Sequence, residues 1–312
     1  MTLGGTVLLC GIPTETPLAM VADALSQLGH PFVTFNQRYF ADAHCVFDLS
    51  CGEVSGELRM GRTALSLEQV GGVYTRLMDD RRLPEYGALP HGAPERARCR
   101  ELHDALVHWI ALTSARVVNP TASMGSNGSK PYQAQLIARH GFRVPETIVT
   151  NDPDRVLEFQ TRHGGLVYKS TSGIRSIVRV LGSGDLDRLE RIRWCPTQFQ
   201  SYVAGTDVRV HVVEREVFAT EIVSDATDYR YATREGGAAE LRAVSLDEAV
   251  AARCVALAGD LGLPFAGIDL RRTTEGGWVC FEVNPSPGFS FYESRTSQPI
   301  ANAVARYLAG HA

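Results

Sequence analysis

The sequence has no tract of basic residues and no long hydrophobic run. Its formal net charge is −4 at pH 7 and its pI is about 6.1, so nucleic acid is not an expected partner, because that role needs a basic surface. No apolar stretch approaches the roughly 20 residues that span a bilayer, so a membrane is not expected either. The first residues, MTLGGTVLLCG, lack the basic segment of a signal peptide, which favours a cytoplasmic protein.

Motifs of several common enzyme classes are also missing. There is no GxGxxG after the first predicted strand, no GxxxxGK[ST] and no GxSxG, which argues against a dinucleotide site, a Walker phosphate loop and a hydrolase nucleophile. The seven cysteines form no CxxC pair and are odd in number, so we expect reduced thiols instead of disulfides or a zinc site. The nine histidines form no motif, and His140 and His211 are expected to be packing or surface residues.

The chain of 312 residues is too long for one ordinary core, so we expect two or three domains. An apolar run at 6–11, a helical pattern at 17–29 and a second strand at 31–36 predict a Rossmann-like βαβ layer. A strongly periodic helix is predicted at 97–115. The segment 79–95 is rich in proline, glycine and charge and is expected to be a loop.

Two further regions follow. Between 119 and 192, helical patterns alternate with short strands, and the strand at 165–170 is expected to pair with SIVRVLG as a hairpin. From 193 to 312, TDVRVHVVEREVFATEIVS alternates like two antiparallel strands, and a helix at 245–262 follows. FAGIDLRRTTEGGWVCFEVNP then predicts a hairpin with its turn at 274–277. The predicted fold class is α/β plus α+β.

The stretch FEVNPSPG, residues 281–288, ends a predicted strand with an acid and an amide two positions apart. Alternate residues of a strand point to the same face, so Glu282 and Asn284 would present two oxygen ligands side by side. Asp269, in FAGIDL, lies on the predicted neighbouring strand. Three hard oxygen donors on adjacent strands suit Mg²⁺, which prefers carboxylates, water and phosphate oxygens.

Several upstream residues are candidates for phosphate contacts. Lys169 ends a strand just before STSGIRS, a turn whose backbone amides could cradle a phosphate, and Lys130 opens a helix after GSNGS. Each lysine taken alone is better explained as a solvated residue. Asp207 and Arg209, in TDVRV, would share one face of a strand, either as a salt bridge or with Arg209 directed at the phosphates.

Taken in chain order, the motifs run from Lys130 and Lys169 through TDVRV to Asp269 and FEVNPSPG. As an ordered set they resemble those of the ATP-grasp ligases of the RimK type, and more closely the ATP-grasp peptide ligases of the microviridin (graspetide) kind. The resemblance extends over most of the chain. It implies an ATP-grasp fold with an N-terminal Rossmann-like (pre-ATP-grasp) domain at 1–118, a central subdomain at 119–192 and a C-terminal subdomain with the metal site at 193–312. The similar stretches are VGGVYTRL, VNPTASMGSNGSKPYQAQLIARHGFRVPETIVTNDPDRVLEF, FQSYVAGTDVRVHVVEREVFATEIVSDATDYR and FEVNPSPGFSFYESRTSQPIANAVARYL.

The resemblance also implies ATP and Mg²⁺ as cofactors, with Mn²⁺ as a substitute, and a role for each matching residue. Asp269, Glu282 and Asn284 would bind the metal. Arg209 and Arg230, the latter in DYR, would act on the transferred phosphate or acyl phosphate. The residues implied in nucleotide binding are Lys130 and Lys169 at the phosphates, Ser172 in the small-residue turn, the hinge Gln200, Ser201, Tyr202 and Val203 at adenine, and Asp207.

The implied chemistry is activation of a carboxylate by ATP to an acyl phosphate, which an amine or a hydroxyl then attacks. Such chemistry needs a metal and cations around the phosphates but no covalent nucleophile, which agrees with the residues present. A peptide is the favoured substrate, for macrocyclisation or for addition of a residue. The alternatives are ligation of a small amino acid or natural-product intermediate, and a nucleotide-binding module without turnover. Dimers are common among such ligases, so a homodimer is kept as an option.

The sequence departs from the family pattern at three places. Ser129 precedes Lys130 where many RimK-type ligases have an acid, and Ser201 stands where the hinge commonly has Glu. Graspetide ligases usually continue after the Asn-Pro pair with an Asn-Gly-type segment that contains Trp, whereas this chain continues with SPGFSFYE. This region borders the acceptor site in such folds. The acceptor could therefore differ from a graspetide precursor.

Overall fold

The computed structural model describes residues 5–170, 178–223 and 240–311. The helices in these ranges are α1 (Thr16–Gln27), α2 (Pro84–Ala88), α3 (Pro94–Leu112), α4 (Lys130–Arg139), α5 (Pro153–His163), α6 (Ser183–Leu186), α7 (Glu248–Asp260), α8 (Ser290–Thr296) and α9 (Ile300–Ala309). The strands are β1 (Thr6–Gly11), β2 (Phe32–Asn36), β3 (Ala43–Ser50), β4 (Glu53–Met60), β5 (Thr63–Ser66), β6 (Val70–Thr75), β7 (Arg116–Val118), β8 (Thr147–Thr150), β9 (Leu166–Ser170), β10 (Arg179–Val180), β11 (Thr197–Ser201), β12 (Gly205–Val213), β13 (Glu216–Val223), β14 (Glu240–Val244), β15 (Phe265–Thr273) and β16 (Trp278–Asn284).

The N-terminal sheet is parallel and has the strand order β2-β1-β6-β7. Strand β1 is apolar on both faces: Val7 and Leu9 enter one core, and Leu8 and Cys10 enter another. This pattern is expected of a parallel strand with helices on both sides. Helix α3 covers the second face, while α1 and the C-terminal helix α9 cover the first. The predicted Rossmann-like layer is confirmed, and the end of the chain returns to complete it.

A three-stranded antiparallel sheet, with the order β3-β4-β5, also belongs to this region and was not predicted. Leu58 and Leu65 bury its inner side in the same core as Leu106 of α3. The residues of these strands are mostly exposed or half-buried. Their sequence therefore carries few of the apolar residues by which a strand is recognised.

The expected loop at 79–95 is wrong in part, because the segment contains a 3-10 turn at Asp80–Arg82 and helix α2. The side chain of Asp79 caps the turn by accepting a hydrogen bond from the Arg81 N–H at 3.1 Å. Pro84 occupies the first turn of α2, where a missing N–H removes no helical hydrogen bond. Residues of the types that suggested a loop, the charged Asp79 and the proline Pro84, therefore begin these short helices.

The central sheet is antiparallel, with the order β10-β9-β11-β8. Strand β10 pairs with β9, as predicted for SIVRVLG. Phe199 of β11 packs against Val156 of α5 on one face. Its neighbour Gln198 points to the other face, where it lies directly opposite Lys169. This second face is polar and belongs to the candidate site.

The C-terminal sheet is antiparallel and has the order β14-β13-β12-β15-β16. Val208, Val210 and Val212 of β12 share a core with helix α7, so the alternate residues of this strand point to the opposite face. On that face His211 is fully buried, 5.0 Å from the Tyr292 ring. The antiparallel pattern predicted here is confirmed, and His211 is a packing residue.

None of the helices in residues 5–170, 178–223 and 240–311 combines the length and the hydrophobicity needed to cross a membrane. All seven cysteines are free thiols, in agreement with the prediction of reduced cysteines.

Candidate active site

Strands β15 and β16 bring the three predicted metal ligands to one face of the C-terminal sheet. Asp269 lies directly opposite Glu282, and Asn284 lies opposite Gly267. Directly opposed residues of an antiparallel pair point to the same face, and so do Glu282 and Asn284, two positions apart. The side chains of Asp269 and Glu282 keep 27% and 22% of their surface exposed, so a ligand can reach their oxygen atoms.

A bulge in β16 helps to direct Glu282 into the site. Glu282 pairs with Asp269, but Cys280 pairs with the next residue of β15, Leu270, so Phe281 is the extra residue. Cys280 and Leu270 stay together in the core, while Glu282 points to the opposite face. Bulges often re-aim side chains in this way beside functional sites.

The loop after β16, NPSPG, is held by hydrogen bonds to its side chains and backbone. The side-chain oxygen of Asn284 accepts a hydrogen bond from the Ser286 N–H at 2.9 Å. Buried Asn119 donates to the carbonyl oxygens of Pro285 and Phe265 and accepts from the Phe265 N–H at 3.0 Å. The two prolines end the strand because they cannot donate to a sheet ladder, and the chain turns away while Asn284 stays beside the carboxylates.

Helix α4 is attached to the edge strand β16 through Gln133. The buried amide of Gln133 donates to the Val283 carbonyl at 2.8 Å and accepts from the Val283 N–H at 3.0 Å. The side chain therefore satisfies backbone groups that an edge strand would otherwise leave open. This contact brings Lys130, in the first turn of α4, to Glu282, with Nζ 3.1 Å from Oε2. Lys130 also donates to the Asn127 side chain at 2.7 Å.

Arg209 of β12 pairs with Asp269 across the sheet. Its Nη1 atom donates to Oδ1 at 2.5 Å, its side chain is only 7% exposed, and its guanidinium lies 5.8 Å from the centre of the Tyr292 ring. Gly267 makes room for this side chain, because a Cβ atom there would lie 2.3 Å from Arg209 Nη2 and 2.6 Å from the Pro287 side chain. The glycine is thus a part of the site that no sequence pattern indicated.

Lys169 approaches the site from the central sheet, where it is buried opposite Gln198. Its charge acts on Glu282. Burial raises the pKa of Glu282, but the charges of Lys130, Lys169 and Arg209 together lower it further, so the net pKa lies below the ordinary glutamate value. Glu282 is therefore kept ionised by cations from three different elements of the fold.

The predicted adenine hinge begins at the end of β11. The side-chain amide of buried Gln200 donates to the Thr147 hydroxyl at 3.0 Å. The N–H groups of Ser201 and Tyr202 donate to backbone carbonyls of the same region at 2.9 and 2.8 Å. The hinge is therefore anchored to the central sheet by its own backbone.

Arg271 of β15 binds both Val203 and Asp207. Its guanidinium donates to the Val203 carbonyl at 2.7 Å and to the two carboxylate oxygens of Asp207 at 2.7 and 2.9 Å. Asp207 and Arg209 share one face of β12, as predicted, and each pairs with the residue directly opposite on β15. Both side chains thus form salt bridges, but each does so with a residue of β15 and not with the other. Direct nucleotide binding by Asp207 stays a prediction.

Two predicted residues, Ser172 and Arg230, lie outside the described residues, so their roles also stay predictions. The structure brings Lys130, Arg209, Asp269 and Glu282 into direct contact as ion pairs. Sequence reasoning missed five residues that have no local signature, and these are the buried amides Asn119, Gln133 and Gln198, the glycine Gly267 and the half-buried Arg271.

The donor set fits a magnesium ion. In the described part of the chain, no group of three His, Cys, Asp or Glu side chains is arranged to hold a metal. This site instead offers the carboxylates of Asp269 and Glu282 and the amide of Asn284. Mg²⁺ is usually held by one or two carboxylates, with water and substrate phosphates as its other ligands. Such a site is complete only when a nucleotide shares the metal.

The chain belongs to the family of RimK-like ATP-grasp domains, which matches residues 128–308, more than half of its length. This result confirms the predicted family and, with the sheets described above, the ATP-grasp fold. The class of enzyme that this family defines is the ATP-grasp ligase.

Two relatives with assigned names are glutamate ligases. A probable alpha-L-glutamate ligase of Rhodopirellula baltica is 30% identical over 215 residues, which cover 65% of this chain and 52% of that protein. A ribosomal protein bS6–L-glutamate ligase of Salmonella newport is 30% identical over 220 residues, covering 67% and 72%. The matched part of this chain spans only about half the length of the first relative.

Solved structures with the same fold include ligases bound to peptides. The ATP-grasp ligase PsnB complexed with a minimal precursor has a TM-score of 0.79 and 26% identity, with 99% of both chains covered. A RiPP-associated ATP-grasp ligase of Chryseobacterium gregarium, in complex with ADP and a leader and core peptide, has a TM-score of 0.83 and 19% identity, covering 99% and 97%. A PsnB complex with Mg and ADP, 25% identical, supports ATP and Mg²⁺ as the cofactors of this fold.

Proposed function

We propose that this protein is an ATP-dependent ligase that activates a carboxylate as an acyl phosphate and joins it to an amine or a hydroxyl of a peptide. The observation that carries the proposal is that Lys130 of helix α4 and Arg209 of the C-terminal sheet form ion pairs with the directly opposed carboxylates of Glu282 and Asp269. The charge of Lys169, from the central sheet, also acts on Glu282. Half-buried charges of both signs are a costly way to stabilise a fold. They are well suited to a metal-bound polyphosphate held between two sheets.

Each charged residue has a role in this proposal. Asp269, Glu282 and Asn284 hold the metal, and Lys130 and Lys169 neutralise the phosphates. Mg²⁺, or Mn²⁺ in its place, would supply Lewis-acid stabilisation of the transferred phosphoryl group. We also place adenine against the hinge backbone, residues 200–203, and a phosphate contact at Ser172.

The ion pairs of the site can exchange partners when the nucleotide binds. Lys130 neutralises Glu282 and Arg209 neutralises Asp269 in the structure. With metal and ATP bound, Asp269 and Glu282 would hold the metal and the cations would contact phosphate oxygens, so that no buried charge would lose compensation. Arg209 can then stabilise the negative charge on the transferred phosphoryl group, a role that we also assign to Arg230.

The reaction needs no covalent nucleophile from the protein. A carboxylate oxygen of the substrate attacks the terminal phosphorus of ATP, and ADP leaves. The amine or hydroxyl then attacks the acyl carbon and loses its proton. The bond between the acyl carbon and the phosphate oxygen breaks, and inorganic phosphate leaves. The contribution of the protein is to hold the anions together, which isolated carboxylate and ATP resist by charge repulsion.

The names of the relatives support a peptide or protein substrate. PsnB, at 26% identity, is solved with a minimal precursor, and the Salmonella relative is named for ligation of glutamate to a ribosomal protein. A small amino acid is the second candidate, because the Rhodopirellula relative is named only as a probable alpha-L-glutamate ligase. A binding module without turnover is disfavoured by the presence of Lys169, Asp269, Glu282 and Asn284 together.

The domain division that we propose is 1–118, 119–192 and 193–312, with helix α9 returning to the N-terminal sheet. The option of a homodimer is settled by measuring the mass of the protein in solution by light scattering.

The test of the proposed function is ADP release with Mg-ATP in the presence of source-cell extract that has been split by size. Peptide and small-molecule fractions are analysed separately by mass spectrometry. ADP release with a peptide that loses one water establishes intramolecular ligation, and a peptide that gains a residue establishes addition. Turnover only with the small-molecule fraction would replace the peptide by a metabolite, and ADP binding without any turnover would favour a non-catalytic module.

A further inference from the structure

Arg271 joins three elements around the candidate site. From β15 it reaches the hinge carbonyl of Val203 at 2.7 Å and the carboxylate of Asp207 at 2.7 and 2.9 Å. Its guanidinium also lies 5.0 Å from the ring centre of Phe281 on β16. One side chain therefore contacts the hinge, the next strand of the sheet and the strand that carries Glu282.

The contact geometry depends on the guanidinium group. Nε and Nη2 donate hydrogen bonds to the two carboxylate oxygens of Asp207, and Nη1 donates one to the carbonyl oxygen of Val203. A lysine ammonium cannot supply this planar fork of donors. The side chains of Arg271 and Asp207 are 15% and 24% exposed, so solvent screens the pair only in part.

The two ends of the contact are the two ends of the proposed nucleotide site. Val203 closes the hinge where adenine is placed. Phe281 is the bulged residue immediately before the metal ligand Glu282. One guanidinium therefore links the adenine end of the cleft to the strand at its metal end. The guanidinium itself touches neither the metal ligands nor any position assigned to phosphate.

We propose that Arg271, together with Asp207, is a positioning residue that holds the hinge in register with the metal strands and so determines nucleotide affinity and the preference for adenine. The inference rests on the proposed ATP-dependent function of the same site. It assigns Asp207 an indirect part in nucleotide binding, through Arg271. Loss of the contact lets the hinge backbone shift, which weakens hydrogen bonds to the base, whereas the phosphates and the metal keep their ligands.

The test compares Arg271→Gln and Arg271→Lys with Arg272→Gln. Arg272 is the neighbouring residue and pairs with Glu221 at 2.7 Å, but its side chain is 52% exposed, so it is a matched control. Affinity for ADP and for GDP, each with Mg²⁺, is measured by calorimetry on the full chain. We expect Arg271→Gln to weaken ADP binding by about tenfold or more, as for the loss of charge-assisted hydrogen bonds. GDP binding is expected to weaken less, so that the preference for adenine falls.

Several outcomes would support or refute a positioning role for Arg271. Arg271→Lys should remain impaired, and normal affinity in that variant would overturn the requirement for the guanidinium fork. An equal loss of ADP and GDP affinity would mean that Arg271 is merely structural. Should Arg271→Gln lose its native circular dichroism, Asp207→Asn, which keeps the side-chain volume, replaces it. Failure of the unmodified protein to bind ADP would refute the proposed function, while normal ADP binding by both Arg271→Gln and Asp207→Asn would refute this inference alone.

Discussion

Asp269 and Glu282 lie directly opposite each other on neighbouring antiparallel strands, and each is held by a cation from a different part of the fold. Arg209 reaches Asp269 from the adjacent strand, and Lys130 reaches Glu282 from the start of a helix. Two carboxylates this close would repel one another unless cations or a metal neutralised them. The opposed carboxylates therefore depend on neutralisation of their charge, and the contribution of each charged residue can be tested separately.

Replacement of Glu282 by glutamine should abolish ADP formation and leave the fold intact. The substitution keeps the volume of the side chain but removes one negative charge among three cations, so the proposed metal loses a carboxylate ligand. We expect turnover to fall by about a hundredfold or more, as for the loss of a group that acts on the transition state. Steady-state ADP release with saturating Mg-ATP is the measurement.

The control for that experiment is Glu221→Gln, a carboxylate on β13 whose partner is the exposed Arg272. It should keep full activity, because Glu221 lies opposite the core residue Val208 and so points to the face of the sheet away from Asp269 and Glu282. Full activity in Glu282→Gln would rule out the metal assignment, whereas loss of activity in both variants would point to a general effect of charge.

Substitution of Gly267 by alanine should lower activity through Arg209. The new methyl group would lie 2.3 Å from Arg209 Nη2 and 2.6 Å from the Pro287 side chain, so the guanidinium must shift from its position beside Asp269. We expect a loss of turnover of about tenfold or more with a smaller change in ADP affinity. Gly259→Ala is the control, because open space surrounds that glycine in helix α7 and alanine is the better helix former. Equal activity of the two variants would contradict the steric role of Gly267.

The strands that carry the chemistry could be predicted because their patterns are local. Alternation in TDVRV and in FEVNP placed Asp207 beside Arg209 and Glu282 beside Asn284, and the structure has both pairs. The bulge at Phe281 could not be predicted in this way, since it depends on the register between two strands. The ion-pair partners of these residues likewise depend on which strands are neighbours.

The supporting residues were missed for a related reason. Gln133 lies inside a helix and Asn119 precedes Pro120 in the sequence. Both bind backbone that is distant in the chain, at separations of 150 and 146 residues. Gly267 is needed because Arg209 lies over it, which is a contact between strands. A buried amide that binds distant backbone has no periodicity, so sequence patterns cannot distinguish it from an ordinary polar residue.

Replacement of Gln133 by methionine should loosen the metal strand. The substitution keeps a similar volume but removes both hydrogen bonds to Val283 and leaves that backbone unsatisfied, at a cost of about 2 kcal/mol. Amide exchange of β16, followed by mass spectrometry, should become faster, and the affinity for Mg-ADP should fall. Gln135→Met, at an exposed position of the same helix, is the control. Unchanged exchange in the Gln133 variant would show that β16 does not depend on helix α4.

Removal of magnesium should reduce the stabilisation that ADP gives to the protein. Ligand at a hundred times its Kd stabilises a native protein by about 2.7 kcal/mol, so Mg-ADP should raise the unfolding temperature clearly. In EDTA the phosphates would compete with Glu282 for Lys130 and would face the carboxylates of Asp269 and Glu282 with no metal between them, so most of the shift should disappear. Asp269→Asn should respond to ADP in the same way with and without Mg²⁺, because it lacks one metal ligand, while Arg272→Gln should behave like the unmodified protein. A thermal shift that is equal with Mg²⁺ and with EDTA in the unmodified protein would contradict the metal site, since the opposed carboxylates would then have no part in holding the nucleotide.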